Sequence, residues 1–448
     1  MLDQTFNKLK NIQNVTELKL PLLFFSFAIW VICPIIGIFP LLLVVQLDLL
    51  QANKKLDKFW SLNSFILVLV VLTLATYLSS FDVFADTKVY LNIYNSLDRQ
   101  TPFENGIAEQ RFEFVLFVFF AVIHYLSNGS TFWCLFSFAL FNNALIIFYI
   151  SKKLSPKYFP SLLIILFSSY FYYSQVFYMR QFFALIFVLA AIVSLESSII
   201  SFIIFSLLAI FSHTTSAIYI LTCIFIKVGA AIGQVFQRIK WQKRDKTILY
   251  FCLAVTIFLI IYSAWQIYQN PKAIYRLTNN LIEYLPQEQV SSSIQGRIEN
   301  NDQRDIEVFS ITKNLAAAIC SLSVFSFIRS YKKISLKILS MIAFYIISLL
   351  QILFILATGF NQRIAYLFLG FFGLFFCIGL DDQALGKTNK IKNFYLVSII
   401  TFLMAALNTL IFINLNANMS RTVGWSFFDK QPLSMSLYDY IVYFFDSV

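Results

Sequence analysis

Charged residues are scarce in this chain. Asp, Glu, Lys and Arg together make up 13% of its 448 residues, whereas hydrophobic residues make up 59%. Soluble domains usually carry about 25% charged residues, so this composition excludes an ordinary soluble protein. Apolar runs of about 20 residues recur along the chain, and such runs are long enough to cross a hydrocarbon core of about 30 Å as helices. The sequence therefore predicts an all-α, polytopic integral membrane protein.

The usual sequence signals for a disulfide framework or a metal site are also missing. The six cysteines contain no CxxC pair, and the chain has two histidines. All six cysteines fall within apolar segments, at Cys33, Cys134, Cys223, Cys252, Cys320 and Cys377. We therefore expect no disulfide, no metal and no cofactor.

Negative charge is the scarcer sign, because 34 basic residues stand against 23 acidic ones and give a net charge of +11. The basic residues do not form one patch. They occupy short loops between apolar runs, above all 151–158, 233–246 and 329–337. Basic loops of this kind face the cytoplasm. Membrane topology thus explains the charge, and we expect no nucleic acid partner.

The apolar runs predict about 12 to 13 transmembrane or re-entrant helices in a single membrane domain, residues 1–448. The runs are 21–46, 62–81, 112–127, 131–150, 159–178, 181–196, 198–212, 215–232, 247–266, 308–328, 338–358, 363–380 and 393–415. With the basic loops placed in the cytoplasm, there is one crossing too many between residues 82 and 150. We therefore expect 112–127, a run of about 16 residues, to be re-entrant or interfacial.

Two longer polar segments fall on the side opposite the basic loops. The first extracytoplasmic loop spans 82–111 and the large extracytoplasmic loop spans 267–307, and both mix acidic with basic residues. Apolar residues recur at helical spacing between Ile274 and Leu285, which predicts a short amphipathic helix in the large loop. Loops of this length are more often functional than idle, so we expect working surfaces here.

Polar residues also stand at the ends of two neighbouring apolar helices on that side. The two sequences are Tyr178-Met179-Arg180-Gln181 and Phe211-Ser212-His213-Thr214-Thr215-Ser216. Moving a charged group into hydrocarbon costs about 2.5 to 3.5 kcal/mol, so such groups usually face a protein-lined or aqueous cavity. Arg180 and His213 are therefore the first candidates for a functional site.

Further short motifs extend this pattern along the chain. They are Asp86-xxx-Tyr90-xxx-Tyr94, Glu113-Phe114, Tyr178 to Ala184, His213 to Ser216 and Arg363-Ile364-Ala365-Tyr366. In order and spacing, this set resembles the EpsG/Wzy family of bacterial polysaccharide polymerases over about residues 80 to 370. The chain departs from the family pattern at Phe182 and Phe183 and at Ala85.

The resemblance implies a membrane glycosyltransferase that polymerises O-antigen, capsule or another exopolysaccharide. The growing glycan would pass from undecaprenyl diphosphate to a new lipid-linked repeat unit at the outer face of the bacterial inner membrane. The implied partners are undecaprenyl diphosphate-linked oligosaccharides, the lipid bilayer, and a flippase and a chain-length regulator of the same pathway. No nucleotide would be needed.

Within that reaction, Arg180 and Arg363 are expected to hold the diphosphate through bidentate guanidinium contacts, and His213 is expected to accept the proton of the acceptor hydroxyl. The structural alternatives are arginines that snorkel to lipid headgroups and a histidine within a Ser/Thr helix cap. An acid on the outer side could also replace His213 as the base. The expected substrate-binding residues are Gln181, Tyr173, Asp86, Glu113, Arg297, Arg304 and Tyr366.

Two other functions fit the composition. A lipid-linked oligosaccharide flippase or other transporter would need a similar number of helices. The sequence has no repeated halves, however, and its polar candidates collect at one face instead of the membrane midplane. A polyprenyl-dependent glycosyltransferase with a monophosphate donor would need paired carboxylates on the first outer loop, for which Asp82 and Asp86 are the candidates.

Overall fold

The computed structural model describes residues 15–51, 62–80, 85–97, 114–238, 335–358, 377, 395, 397–409 and 435–447. Within these ranges the regular secondary structure is helical and includes no strand, which confirms the predicted all-α class. The predicted helices 247–266 and 308–328 lie outside the described residues, as do the large loop 267–307 and most of 363–380.

The described helices are mostly apolar and follow the predicted runs closely. In chain order they are α1 Val15–Ile32, α2 Pro34–Gln51, α3 Leu62–Ser79, α4 Ala85–Ser96, α5 Val115–Ser127, α6 Thr131–Ala144, α7 Phe159–Phe167, α8 Tyr170–Tyr173, α9 Met179–Ser194, α10 Ile199–Ser212, α11 Ser216–Arg238, α12 Leu336–Thr358, α13 Val397–Thr409 and α14 Leu437–Ser447. Helix α6 continues directly into a π-helical stretch, Leu145–Ser151, and a last turn, Lys152–Leu154.

Helix length and surface composition are those of a membrane protein. Among the described residues, Leu62–Ser79 and the continuous helix Thr131–Leu154 are long and apolar enough to cross a membrane. Shorter apolar helices of 10–17 residues accompany them. Helix α10 exposes Ile200, Ile203 and Leu207 by 68%, 49% and 49%, and such a row of exposed apolar side chains suits contact with lipid rather than water.

The first predicted helix, 21–46, is in fact two helices. Helix α1 ends at Ile32 and α2 begins at Pro34, because proline suits the first turn of a helix but has no N–H with which to continue the previous one. Lys19 of α1 forms an ion pair with Asp48 of α2 at 2.7 Å. Gly37 lies directly against the backbone of Trp30, so the two helices form a tightly packed antiparallel hairpin.

Helices α9 and α10 form the central hairpin of the described bundle. Helix α9 is apolar on all sides, and nearly all of its residues are buried, which is typical of a helix at the centre of a bundle. Helix α10 buries one face through Phe202, Ser206 and Ala209 and exposes the other. Its start is capped by Ser198, whose Oγ accepts the backbone N–H of Ser201 at 3.2 Å.

The turn between α9 and α10 lies at what we call the basic end of the bundle, defined by Lys153 and Lys227. Lys153 Nζ donates to Ser197 Oγ at 3.3 Å, and Lys227 Nζ donates to the Leu195 carbonyl at 3.2 Å. The first backbone N–H groups of α12 donate to the Glu196 carboxylate at 2.5 and 3.3 Å. The turn is therefore held by α6, α11 and α12 together.

The predicted helix 159–178 is broken near its middle. Helix α7 ends at Phe167, α8 is a single turn, and a 3-10 turn at Ser174–Val176 precedes α9. Irregular backbone at membrane depth is tolerated where protein buries it. Here the Tyr172 hydroxyl donates to Asn143 Oδ1, and Gln175 Nε2 donates to the Tyr172 carbonyl at 3.1 Å. Side chains thus supply hydrogen bonds within the broken segment.

The first outer loop contains α4, a helix that the apolar runs did not predict. The next helix, α5, begins beside the end of α10, where the rings of Phe114 and Phe211 are 5.0 Å apart. It ends at the turn into α6, where the Ser130 carbonyl accepts the Tyr94 hydroxyl of α4 at 3.0 Å. Both ends of α5 therefore lie opposite the basic end, which is the arrangement expected if 112–127 does not cross the membrane.

Candidate functional site

Arg180 lies in the first turn of α9, opposite the basic end, at what we call the site end. Its Nε donates to the Tyr90 hydroxyl at 3.0 Å, and its guanidinium carbon lies 5.6 Å from the centroid of the Tyr90 ring. A cation within about 6 Å of an aromatic face is attracted by the ring quadrupole. Arg180 is half-buried and Tyr90 is buried, so Tyr90 of the outer loop restrains the guanidinium group in two ways.

His213 directly follows α10, in extended backbone with φ −161° and ψ 121°. Its backbone N–H donates to the Ala209 carbonyl at 3.0 Å, and its carbonyl accepts the N–H of Ser216 at 3.0 Å. The main chain of His213 therefore links the end of α10 to the start of α11. These backbone contacts are compatible with a structural role in the turn, and they leave the function of the buried imidazole ring open.

Thr215 contacts the His213 ring through two groups. The Thr215 backbone N–H donates to His213 Nδ1 at 3.3 Å, and Thr215 Oγ1 lies 2.7 Å from the same nitrogen. A backbone N–H can only donate, so the first contact favours the tautomer that carries its proton on Nε2. The hydroxyl can donate or accept, so rotating it also supports the tautomer with the proton on Nδ1.

Arg180 and His213 lie at the same end of one antiparallel hairpin. Helix α9 has 16 residues and α10 has 14, which correspond to lengths of about 24 and 21 Å at 1.5 Å per residue. The chain therefore leaves the site end at Arg180 and returns to it at His213. The N-terminus of α9 adds the positive end of a helix dipole beside the guanidinium group. Chemically, the site end can attract an anion at Arg180 and also carries the imidazole of His213.

Two predicted substrate-binding residues face the interior of the bundle. Gln181 is 1% exposed, and no group within the described ranges forms a hydrogen bond with its Oε1. Tyr173 is also buried, with its ring centroid 5.7 Å from that of Tyr77 and 5.1 Å from that of Tyr172, both edge to face. Both side chains are therefore buried near the polar end of α9, and their role in binding sugar stays a prediction.

The remaining predicted site residues are not placed by the structure. Asp86 is the second residue of α4, but its side chain lies outside the described part of the chain. Five others fall wholly outside the described residues, namely Glu113, Arg297, Arg304, Arg363 and Tyr366. Their roles, including that of Arg363 on the diphosphate, stay predictions.

Tyr90 and Thr215 are the residues whose roles the sequence did not assign. Both belong to recognisable motifs, but neither is charged, so the cost of burying a charge does not single them out. One signal was available for Tyr90. Thr87, Tyr90 and Tyr94 are spaced i, i+3 and i+7, which is typical of one face of a helix.

Tyr94 shows how the outer loop is fixed beside the site. Its hydroxyl lies 3.0 Å from Ser127 Oγ and donates to the Ser130 carbonyl at 3.0 Å. Burial raises the pKa of Tyr94 to about 12, so the hydroxyl stays protonated and remains a donor at neutral pH. Within the described residues, no group of three or more His, Cys, Asp or Glu side chains could hold a metal ion.

Apolar helices with an arginine and a histidine at one end define a polytopic membrane protein with a polar site at the mouth of its helix bundle. A sequence model of the EpsG family matches residues 62–420, well over half of the chain. The chain therefore belongs to the EpsG family, and the predicted resemblance is confirmed. Membership supports a polysaccharide polymerase-like membrane protein that acts in polysaccharide biosynthesis. Searches of curated proteins and of solved structures gave no significant match.

Proposed function

We propose that this protein is a polysaccharide polymerase of the bacterial inner membrane. It transfers the growing glycan from undecaprenyl diphosphate onto a new lipid-linked repeat unit at the outer face. An acceptor hydroxyl oxygen bonds to the anomeric carbon of the donor. The bond from that carbon to the diphosphate oxygen breaks, the diphosphate leaves with the bonding electrons, and the hydroxyl proton passes to a base.

Family membership supports the class of reaction, and one structural observation carries the proposal further. Arg180 lies in the first turn of α9 and His213 directly follows α10, so both lie at the end of the hairpin opposite the basic end. The reaction needs a cation for the leaving diphosphate and a base for the acceptor hydroxyl. These two side chains match those two requirements.

In the proposal, Arg180 binds the donor diphosphate. The planar guanidinium group matches the spacing of phosphate oxygens and can form paired, charge-assisted hydrogen bonds. The N-terminus of α9 adds further positive potential at the same place. Because negative charge builds up on the bridging oxygen as the diphosphate leaves, donors already fixed in position stabilise the transition state more than the ground state.

His213 is the proposed base. In the tautomer whose Nδ1–H donates a hydrogen bond to Thr215 Oγ1, Nε2 carries a lone pair. Nε2 can then accept the proton of the acceptor hydroxyl. Thr215 then stabilises the imidazolium ion that forms. We also propose that a flippase supplies the lipid-linked units and that a chain-length regulator acts on the same enzyme.

The test is the length distribution of surface glycan on a polyacrylamide gel. A strain deleted for this gene is complemented with wild type, Arg180→Ala, His213→Ala or Thr214→Ala, at matched membrane levels. Thr214 is the exposed neighbour of His213, so its variant controls for local disturbance of the turn. We expect long chains from wild type and Thr214→Ala, and single repeat units on the surface anchor from the other two variants.

Different outcomes separate the alternative functions. Loss of even the single-unit product in the deletion strain, with lipid-linked repeats trapped inside, would indicate a flippase. Long chains in the deletion strain would show that polymerisation does not need this protein. Long chains from Arg180→Ala or His213→Ala would show that the substituted residue is not part of the polymerase site.

A further inference from the structure

One face of α4 makes side-chain hydrogen bonds to three different parts of the bundle. Thr87 Oγ1 donates to the Val176 carbonyl in the 3-10 turn before α9. One turn later, Tyr90 contacts Arg180 of α9. One further turn along, Tyr94 contacts the junction of α5 and α6. All three hydroxyl residues are buried, at 0%, 4% and 0% exposure, so α4 is docked on the bundle along a single polar stripe.

The middle residue of this stripe is the one that reaches the proposed site. We propose that Tyr90 is a positioning residue, which orients the Arg180 guanidinium group for binding the donor diphosphate. The inference rests on the proposed function, because it assigns the diphosphate to Arg180. Tyr90 acts through Arg180 and needs no contact of its own with the substrate.

The geometry explains how one hydroxyl can orient the whole group. The guanidinium group is planar and rigid, so fixing the direction of its Nε–H bond also fixes the plane that contains Nη1 and Nη2. The Tyr90 hydroxyl accepts Nε–H at 3.0 Å, and the ring lies 5.6 Å from the guanidinium carbon. An arginine oriented in advance loses less side-chain entropy when a diphosphate binds.

The rest of the stripe explains why Tyr90 can serve as a fixed reference point. Thr87 and Tyr94 hold α4 in place one turn before and one turn after it. Leu91, on the same helix, is buried at 6% exposure and packs into the hydrophobic core. The position of the Tyr90 hydroxyl is therefore set by groups that take no part in binding.

The experiment measures binding of undecaprenyl diphosphate to the purified full-length protein in detergent. Tyr90→Phe keeps the ring but removes the acceptor for Arg180. We expect about tenfold weaker binding, because the guanidinium group must then be ordered at the moment the diphosphate binds. Tyr125→Phe removes the hydroxyl of an exposed tyrosine in α5, outside this stripe, and we expect it to bind as wild type does. Equal melting temperatures without ligand show that the variants are folded.

A double-mutant comparison identifies the route by which Tyr90 acts. If Tyr90 acts through Arg180, Tyr90→Phe has no further effect on binding in an Arg180→Ala protein. A residue that merely stabilised the fold would weaken both backgrounds equally. Wild-type binding by Tyr90→Phe, together with impaired binding by Arg180→Ala, would overturn the inference and leave the proposed function standing. Wild-type binding by Arg180→Ala would overturn both.

A second variant covers the case in which Tyr90→Phe does not fold. Arg180→Lys keeps the positive charge but lacks the Nε–H group and the planar fork that Tyr90 orients. We expect its binding to fall nearly as far as that of Arg180→Ala. Full binding by Arg180→Lys would show that an oriented fork is not needed, and would overturn the inference.

Discussion

The imidazole of His213 has two nitrogens, and its contacts with Thr215 influence which of them carries the proton. The backbone N–H of Thr215 favours a proton on Nε2, whereas its hydroxyl can accept a proton from Nδ1. Only the second tautomer leaves Nε2 able to act as a base. In the first, Nε2–H would be a hydrogen-bond donor suited to a phosphate oxygen. The hydroxyl of Thr215 is therefore one group that influences which chemistry His213 can perform.

Thr215→Val is the substitution that distinguishes these roles. Valine keeps the backbone N–H but removes the only Thr215 group that can accept from Nδ1, so the ring is held with its proton on Nε2. If His213 is the base, we expect polymerisation to fall about 100-fold, at the lower end of the usual contribution of general base catalysis. The measurement is the initial rate of chain elongation in isolated membranes.

Thr214→Val is the matched control for this rate, because Thr214 is the exposed residue beside Thr215 in the same turn. It should elongate chains at the wild-type rate. An unchanged rate in Thr215→Val, with a lowered rate in His213→Ala, would assign His213 the role of hydrogen-bond donor.

Single site residues could be identified from the sequence when burying them in an apolar helix end is costly. Arg180 and His213 stand out because charged or titratable groups are rare among apolar helices. Tyr90 does not stand out, because the chain contains 23 tyrosines and its contact joins residues 90 positions apart. Which tyrosine meets Arg180 depends on how α4 docks, and docking is decided by tertiary packing rather than by local pattern.

The apolar runs predicted where the helices lie more accurately than they predicted where the helices break. The predicted helices 181–196 and 198–212 agree within two residues with α9 and α10. The predictions 21–46 and 159–178 each merged more than one helix, because both halves of each run are apolar and hydropathy does not register a break. Pro34 was a visible signal for the first break. The second has no proline or glycine at Ser168 and Ser169, where α7 ends.

The α1–α2 hairpin depends on the absence of a side chain at Gly37. A Cβ atom there would lie 2.3 Å from Trp30 Cα and 2.6 Å from Trp30 N, and backbone atoms cannot move aside alone. We therefore expect Gly37→Ala to force the two helices apart, at a cost of about 1 to 3 kcal/mol. Thermal unfolding of the purified protein in detergent measures the loss.

Gly229→Ala provides the control for that experiment. Gly229 lies within α11, and a Cβ atom there would meet nothing within 4 Å. Alanine is favoured over glycine inside a helix by about 0.5 to 1 kcal/mol, so this variant should unfold at or slightly above the wild-type temperature. Equal melting temperatures for the two variants would show that the close contact at Gly37 does not support the hairpin.

For the whole molecule, the structure separates two chemically different ends. Lysines and the Glu196 carboxylate gather at the α9–α10 turn, whereas Arg180, His213 and α4 lie at the other end. Positive charge marks the cytoplasmic side of a membrane protein, so we expect the site end to face outward. Under the proposed function, this is the side on which a lipid-linked repeat unit would become available after it has been flipped.

Cysteine labelling tests this orientation. In a variant whose native cysteines are replaced by alanine, a single cysteine is placed at Asn92, on the exposed face of α4, or at Ser197, in the α9–α10 turn. With a membrane-impermeant maleimide on spheroplasts, we expect Asn92→Cys to react directly and Ser197→Cys to react only after permeabilisation. The reverse pattern would place the basic end outside and remove the site from the outer face.

The contacts of the α9–α10 turn also bear on which part of the protein can move when substrate binds. Three elements hold that turn through Lys153, Lys227 and Glu196, whereas at the opposite end α4 holds α9 through hydroxyl contacts. Within the described residues, the lysine and glutamate contacts lie at the basic end, and local opening is drawn from the less firmly held parts of a structure, so we expect substrate-dependent movement in the outer half. The cytoplasmic face would then look the same whether the site is filled or empty. Under the proposed function, we therefore expect a regulator that counts added units to sense them from the outer side of the membrane.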